Sequence, residues 1–107
     1  MTTFFDLPTI SAARSKARKL YQEFLRVPAL SAGVYVLAAG ATDPQKPHKE
    51  DEVYYVVRGR AKMQVGSEEH VVKTGSVIFV AAGIKHVFFD ISEELEVLVF
   101  FAPAETT

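Results

Sequence analysis

From residue 20 to residue 101 the chain reads as eight short runs: LYQEFLRV, AGVYVLAA, EVYYVV, AKMQV, HVVK, SVIFV, HVFFDI and LEVLVFF. They are rich in Val, Phe, Tyr and Leu, and Pro, Gly or charged turns separate them, which is the pattern of strands rather than helices. So many short strands in so little chain indicate an all-β barrel or sandwich, not a sheet wound with helical crossovers. Gly59, Gly66, Gly75 and Gly83 read as turn residues, since glycine takes positive φ without steric penalty.

Several strands are apolar on both faces. In EVYYVV one face carries Glu52, Tyr54 and Val56, while Val53, Tyr55 and Val57 point the other way. The second face needs a cover. A short helix over about 7–18, opened by the DLP of Asp6 to Pro8 and continued by Ala-rich helix formers, provides part of it. A partner subunit would provide more, so a homodimer with strand-face or strand-exchange contacts is expected. The basic residues of that helix, Arg14, Lys16 and Arg18 with Lys19, read as a solvated face. The terminal ETT reads as a loose tail.

The 107 residues, 49% of them hydrophobic, suit one domain, with a barrel over about 19–102. A formal net charge of −1 supplies no global field for nucleic acid or anionic lipid. No apolar run approaches the roughly 20 residues that span a bilayer, and the N-terminal stretch lacks a signal-peptide core, so the expected compartment is the cytoplasm. With no cysteine in the chain, disulfides, thiolate metal sites and a cysteine nucleophile drop out, and any metal must be held by His and carboxylate.

Two segments carry the chemistry. The first, GATDPQKPHKEDEVYYVVRG from Gly40 to Gly59, places His48, Glu52 and Gly59 at fixed spacing; the second, GSVIFVAAGIKHVFFD from Gly75 to Asp90, holds Gly75, Gly83 and His86. Together they resemble the paired motifs of the cupin superfamily, with Ala81 where that family usually has proline and Asp90 where it has asparagine. The resemblance covers roughly residues 31 to 101. It implies a small double-stranded β-helix, jelly-roll-like barrel that holds a metal between the motifs. The family's first motif usually opens His-x-His, and here the leading position is Lys46, a cation with no free lone pair at neutral pH.

What the resemblance leaves is His48, Glu52 and His86 as ligands of a divalent ion. Two imidazoles and one carboxylate suit Fe, Zn, Mn, Ni or Co and leave coordination positions for water or substrate. Gln45 and Glu50 are candidates for a fourth ligand. With Glu52 inward, Tyr54 and Val56 also face inward; with His86 inward, so do Phe88 and Asp90. A carboxylate among such aromatics must be protonated, paired or metallated, and Lys46 is one partner for it in a metal-free site.

Lys46, Gln45, Tyr54 and Phe88 are therefore the substrate-pocket candidates. Asp43, Lys46 and Lys49 cannot all line one pocket, because neighbours on an extended chain point opposite ways. His70 reads as a surface residue. The expected function is a small metal-binding cupin acting on a small oxygen-rich organic molecule by dioxygenase, isomerase, decarboxylase or lyase chemistry. The alternatives are a non-enzymatic small-molecule binding or sensor module, with Lys46 as anion anchor and no functional metal, and an accessory dimerising domain with an inert barrel.

Overall fold

The computed structural model describes residues 3–106. One helix, α1 (Leu7–Ala17), precedes six strands: β1 (Tyr21–Val27), β2 (Leu30–Leu37), β3 (Asp51–Val65), β4 (Glu68–Lys73), β5 (Val77–Val80) and β6 (His86–Ala102). All pairings are antiparallel, in the order β1-β2-β6-β3-β4, with β5 also on β3. The result is the all-β, double-stranded β-helix barrel with a short N-terminal helix.

Eight runs become six strands because two pairs of runs are continuous. EVYYVV and AKMQV fuse into β3, and HVFFDI and LEVLVFF into β6. Three register shifts between Val56 and Lys62 bend the β3–β6 ladder, as bulges do where one strand turns a barrel corner. Gly59 sits in that bend with φ +101°, and a Cβ there would lie 2.2 Å from the Glu94 carbonyl oxygen. It is thus a mid-strand corner rather than a turn, whereas Gly66, Gly75 and Gly83 do lie in turns.

Alternation holds along the first half of β3. Glu52, Tyr54 and Val56 are buried, while Tyr55 is exposed and Val53 and Val57 are intermediate. It breaks in β6: His86 and Phe88 point inward, but Asp90 is exposed and pairs at 3.5 Å with Lys62. Asp90 has φ +46°, so the pleat loses its phase there and Ile91 becomes the buried residue instead. The inward face gathers Tyr54, Val56, Met63, Phe88, Leu95 and Val97 into the barrel core. Each fully buried side chain of this size contributes about 1.5–3 kcal/mol.

Outside the barrel, α1 packs on β1 and β2 without burying any residue of its own. Its Ser11 hydroxyl donates to Glu96, whose carboxylate also takes the Arg58 guanidinium at 2.9 Å. Phe5 stacks at a tilt on Phe24, with centroids 5.1 Å apart. The helix therefore covers only one side of the outer sheet surface.

The terminal segment is not loose as far as Thr106. The Ala104 amide donates to the Pro28 carbonyl, the Glu105 amide to Ser31 Oγ at 2.8 Å, and the Arg26 guanidinium to the Glu105 carbonyl at 2.7 Å. Thr106 donates both its amide and its hydroxyl to Glu50. Polar residues of a tail read as loose when their partners lie far away in sequence, and here those partners are on β1, the β1–β2 turn, β2 and the loop before β3.

Candidate metal centre and its cavity

Glu52 lies near the start of β3 and His86 opens β6, opposite Val65 at the far end of the same β3. A straight strand from position 52 to position 65 would span roughly 43 Å. The bend at Gly59 closes that distance: His86 Nε2 is 2.9 Å from Glu52 Oε1, and both side chains are essentially inaccessible. His48 comes from the loop before β3. Its carbonyl accepts the Gly83 amide at 2.7 Å, and Asp51 Oδ1 accepts the Ala82 amide at 2.8 Å, so the two motif segments are stitched to each other.

One donor atom from each of His48, Glu52 and His86 lies within 4.8 Å of the other two. The 2.9 Å between His86 and Glu52 suits adjacent ligands on one ion at about 2.1 Å. Second partners orient both imidazoles. His86 Nδ1 faces the Ile84 carbonyl at 2.9 Å, which makes Nδ1 the protonated nitrogen and leaves a lone pair on Nε2. His48 Nδ1 faces Glu105 Oε2 at 3.2 Å, leaving Nε2 as its free nitrogen.

The electrostatics are unusual for a metal-free core. Glu52 Oε1, Glu52 Oε2 and His86 Nε2 are all buried without an aligned hydrogen-bond partner. The short Glu52–His86 contact therefore sets one lone pair against another, which only a positive species between them relieves. A proton does so in part. Burial pulls the His86 imidazole down, but Glu52 and the Ile84 carbonyl push it up, and the net direction is above its ordinary value. Burial first, then Glu52, likewise holds the Tyr54 phenol protonated well above its usual range. A divalent ion satisfies all three atoms together, so the residues present fit a metal.

The other candidates lie elsewhere. Lys46 is exposed, and it is His86, not Lys46, that faces Glu52. The loop leaves Lys46 exposed, outside the residues that line the cavity beside His48. Glu50 is buried, but its carboxylate holds Thr106 and does not join the three donors. Gln45 is tied up as well: its amide donates to Asp43 at 2.7 Å, and its carbonyl accepts the Tyr54 hydroxyl. Tyr54 and Phe88 pack edge to face, with centroids 5.2 Å apart in the core. His70 is on the surface.

Open space exists beside His48. A cavity of about 180 Å³ is lined by Tyr21, Tyr35, Gln45, His48, Val99, Phe101 and Glu105. Of these only Gln45 and His48 stand out in the sequence; Glu105 lies in a tail with no local pattern, and Tyr21 and Tyr35 look like ordinary strand aromatics. Asp43 organises one wall, accepting the Tyr35 hydroxyl at 2.6 Å, the Gln45 side chain and the Phe88 amide at 2.9 Å. Gly33 makes room for Tyr21, since a Cβ there would sit 2.3 Å from the phenol oxygen.

A barrel that brings His48, Glu52 and His86 together defines a class, and the comparisons agree with it. Residues 33–102 match the cupin domain family model, and the chain belongs to that family. It is similar to an uncharacterised protein of Streptomyces coelicolor, 50% identical over 102 residues, which span 95% of this chain and 97% of that one. Among solved structures, a protein from Thermus thermophilus superposes with a TM-score of 0.76 at 23% identity, covering 96% of this chain and 99% of that one. The Cnp3 cupin domain of Schizosaccharomyces pombe gives 0.78 at 19% identity, covering 96% and 75% respectively.

Proposed function

We propose that this cupin binds one divalent metal ion through His48, Glu52 and His86 and uses it on a small oxygen-bearing organic molecule. The observation that carries the reading is the buried, unpartnered opposition of His86 Nε2 and Glu52 Oε1. Bound there, Fe, Zn, Mn, Ni or Co would act as a Lewis acid, or as a redox centre where the metal allows, leaving the choice among dioxygenase, isomerase, decarboxylase and lyase chemistry to the substrate. The chain's own residues orient the ligand set: Ile84 and Glu105 fix the two imidazole tautomers, and the aromatic core keeps water away from Glu52. Metal analysis of protein purified without added metal tests the reading. One equivalent that disappears in both His48→Ala and His86→Ala supports it, and a stable wild type that takes up no metal from a divalent series refutes it.

Glu105 gives a graded check. Glu105→Ala removes the partner of His48 Nδ1 and should weaken metal affinity about 10- to 100-fold, the usual range for a lost second partner on a ligating imidazole. Competition with a chromophoric chelator measures it; an unchanged affinity would separate the tail from the metal centre.

The same reading includes a homodimer. Two cross-strand rows, Phe79–Val53–Phe100 and Val77–Tyr55–Leu98, run across the outer face of β5, β3 and β6. Phe79 and Val77 are 60% and 66% exposed, and α1 packs on β1 and β2 rather than on β5. A charge there should abolish association while leaving the barrel interior untouched. Phe79→Glu is expected to sediment as a monomer at a concentration where the wild type is dimeric; a monomeric wild type at tens of micromolar, about the range for a stable interface of ordinary size, would remove the dimer from the proposal.

A further inference from the structure

After β6 ends at Ala102, residues 103–106 run past β1, β2 and the loop before β3 without joining a strand. Single hydrogen bonds hold them: the Ala104 amide to the Pro28 carbonyl at 3.2 Å, the Glu105 amide to Ser31 Oγ at 2.8 Å, and the Arg26 guanidinium to the Glu105 carbonyl at 2.7 Å. Thr106 clasps Glu50 Oε2 with its amide at 3.1 Å and its hydroxyl at 2.6 Å. Glu105 forms part of the wall of the cavity beside His48. Docking this segment has an electrostatic cost. Glu50 is 4% exposed, and its Oε1 is buried with no hydrogen-bond partner among the described residues. Burial pushes the Glu105 carboxyl above its ordinary value; His48 pulls it back, while Glu50, Glu52 and Glu23 add to the rise.

We propose that residues 103–106 are a strap whose docking is coupled to the metal. An ion on His48 Nε2 holds the strap down, with Glu50 and Thr106 as positioning residues that set Glu105 on His48 Nδ1; loss of the ion releases it and takes away one wall of the cavity. The physical reason is a difference between the two states. An ion on Nε2 makes Nδ1–H a stronger donor to Glu105 Oε2 and offsets the charge of Glu52, and both effects act only while the strap is docked. Such coupling is reciprocal, so a strap favoured by the ion favours the ion by the same factor, typically about 5- to 150-fold. The inference rests on the metal reading and adds to it a regulation of access to the same site.

The probe is Zn²⁺ at a single pH. Hydrogen exchange at the Glu105 and Thr106 amides, both donors in the docked strap, reads docking in metal-free and Zn²⁺-loaded protein, and chelator competition reads affinity separately. Zn²⁺ should slow exchange at both amides about tenfold or more, and removing residues 105–107 should weaken Zn²⁺ by the same factor as the slowing. Thr106→Val leaves Glu105 and the three ligands in place and takes away one donor to Glu50. It should speed exchange at the Glu105 amide and weaken Zn²⁺, and it carries the test if the shortened chain does not fold. Zn²⁺ that binds with exchange at the two amides unchanged, or with an affinity indifferent to both variants, overturns the strap and leaves the metal reading standing. Slowing spread equally over the amides of β1 and β2 is general stabilisation and overturns it as well. Protein that takes up neither Zn²⁺ nor any other ion of the divalent series brings down both readings, an outcome that metal analysis identifies by itself.

Discussion

At a pH above the raised titration of His86, Glu52→Gln should produce a metal-free protein at least as stable as the metal-free wild type, and one that no divalent ion stabilises further. In the wild type, a carboxylate oxygen 2.9 Å from His86 Nε2 sets lone pair against lone pair in a site closed to solvent. A glutamine amide fills nearly the same volume, carries no charge and can donate N–H to Nε2. Removing an unpaired buried charge in this way is worth about 1–3 kcal/mol at a pH where His86 is neutral. Saturating metal should raise the wild type by about 2.7 kcal/mol at one hundred times its dissociation constant, and the variant hardly at all. For a chain of this size that is a shift in Tm on the order of 10 °C. Chemical denaturation with and without metal measures both halves. A variant that is less stable than wild type without metal, or that keeps the metal response, would show that Glu52 is paired in some other way.

The second large effect is a reversal of pH dependence between metal-free and metal-loaded protein. His86 in the metal-free fold lies above its ordinary value: burial alone would lower it, and Glu52 with the Ile84 carbonyl overcomes that. The folded state then holds a proton that the unfolded chain releases near pH 6.5. The associated stability is complete below about pH 6.5 and disappears as pH rises through the higher folded value, with a slope of at most about 1.4 kcal/mol per pH unit. Metal binding expels that same proton, so the stabilisation by metal must instead grow with pH across the same window. Denaturant midpoints measured from about pH 5.5 to about pH 8.5 should fall without metal and rise with it. Parallel curves would mean that metal and proton do not compete for His86.

The features that were legible from residue order are those set by local periodicity. The inward set Glu52, Tyr54 and Val56 follows from the two-residue repeat of a strand, and the burial of all three agrees with it. The same reasoning failed at Asp90, since a positive φ in mid-strand shifts the pleat by one residue and composition does not announce it. Gly59 looked like a turn because the local signal for a turn and for a strand corner is the same residue. The exposed position of Lys46 was not legible from its chemistry.

Along the chain itself, then, lay the strand texture, the metal-competent residue types and the absence of any thiol. Those depend on side-chain chemistry and on spacings of a few residues. The tertiary structure decided which donors meet: the bend at Gly59 that brings the start of β3 against His86, the Gly33 gap that admits Tyr21, and the terminal fold that delivers Glu105 to His48. Such contacts join residues dozens of positions apart, and their energy comes from excluding water at a point in space that no stretch of neighbouring residues defines.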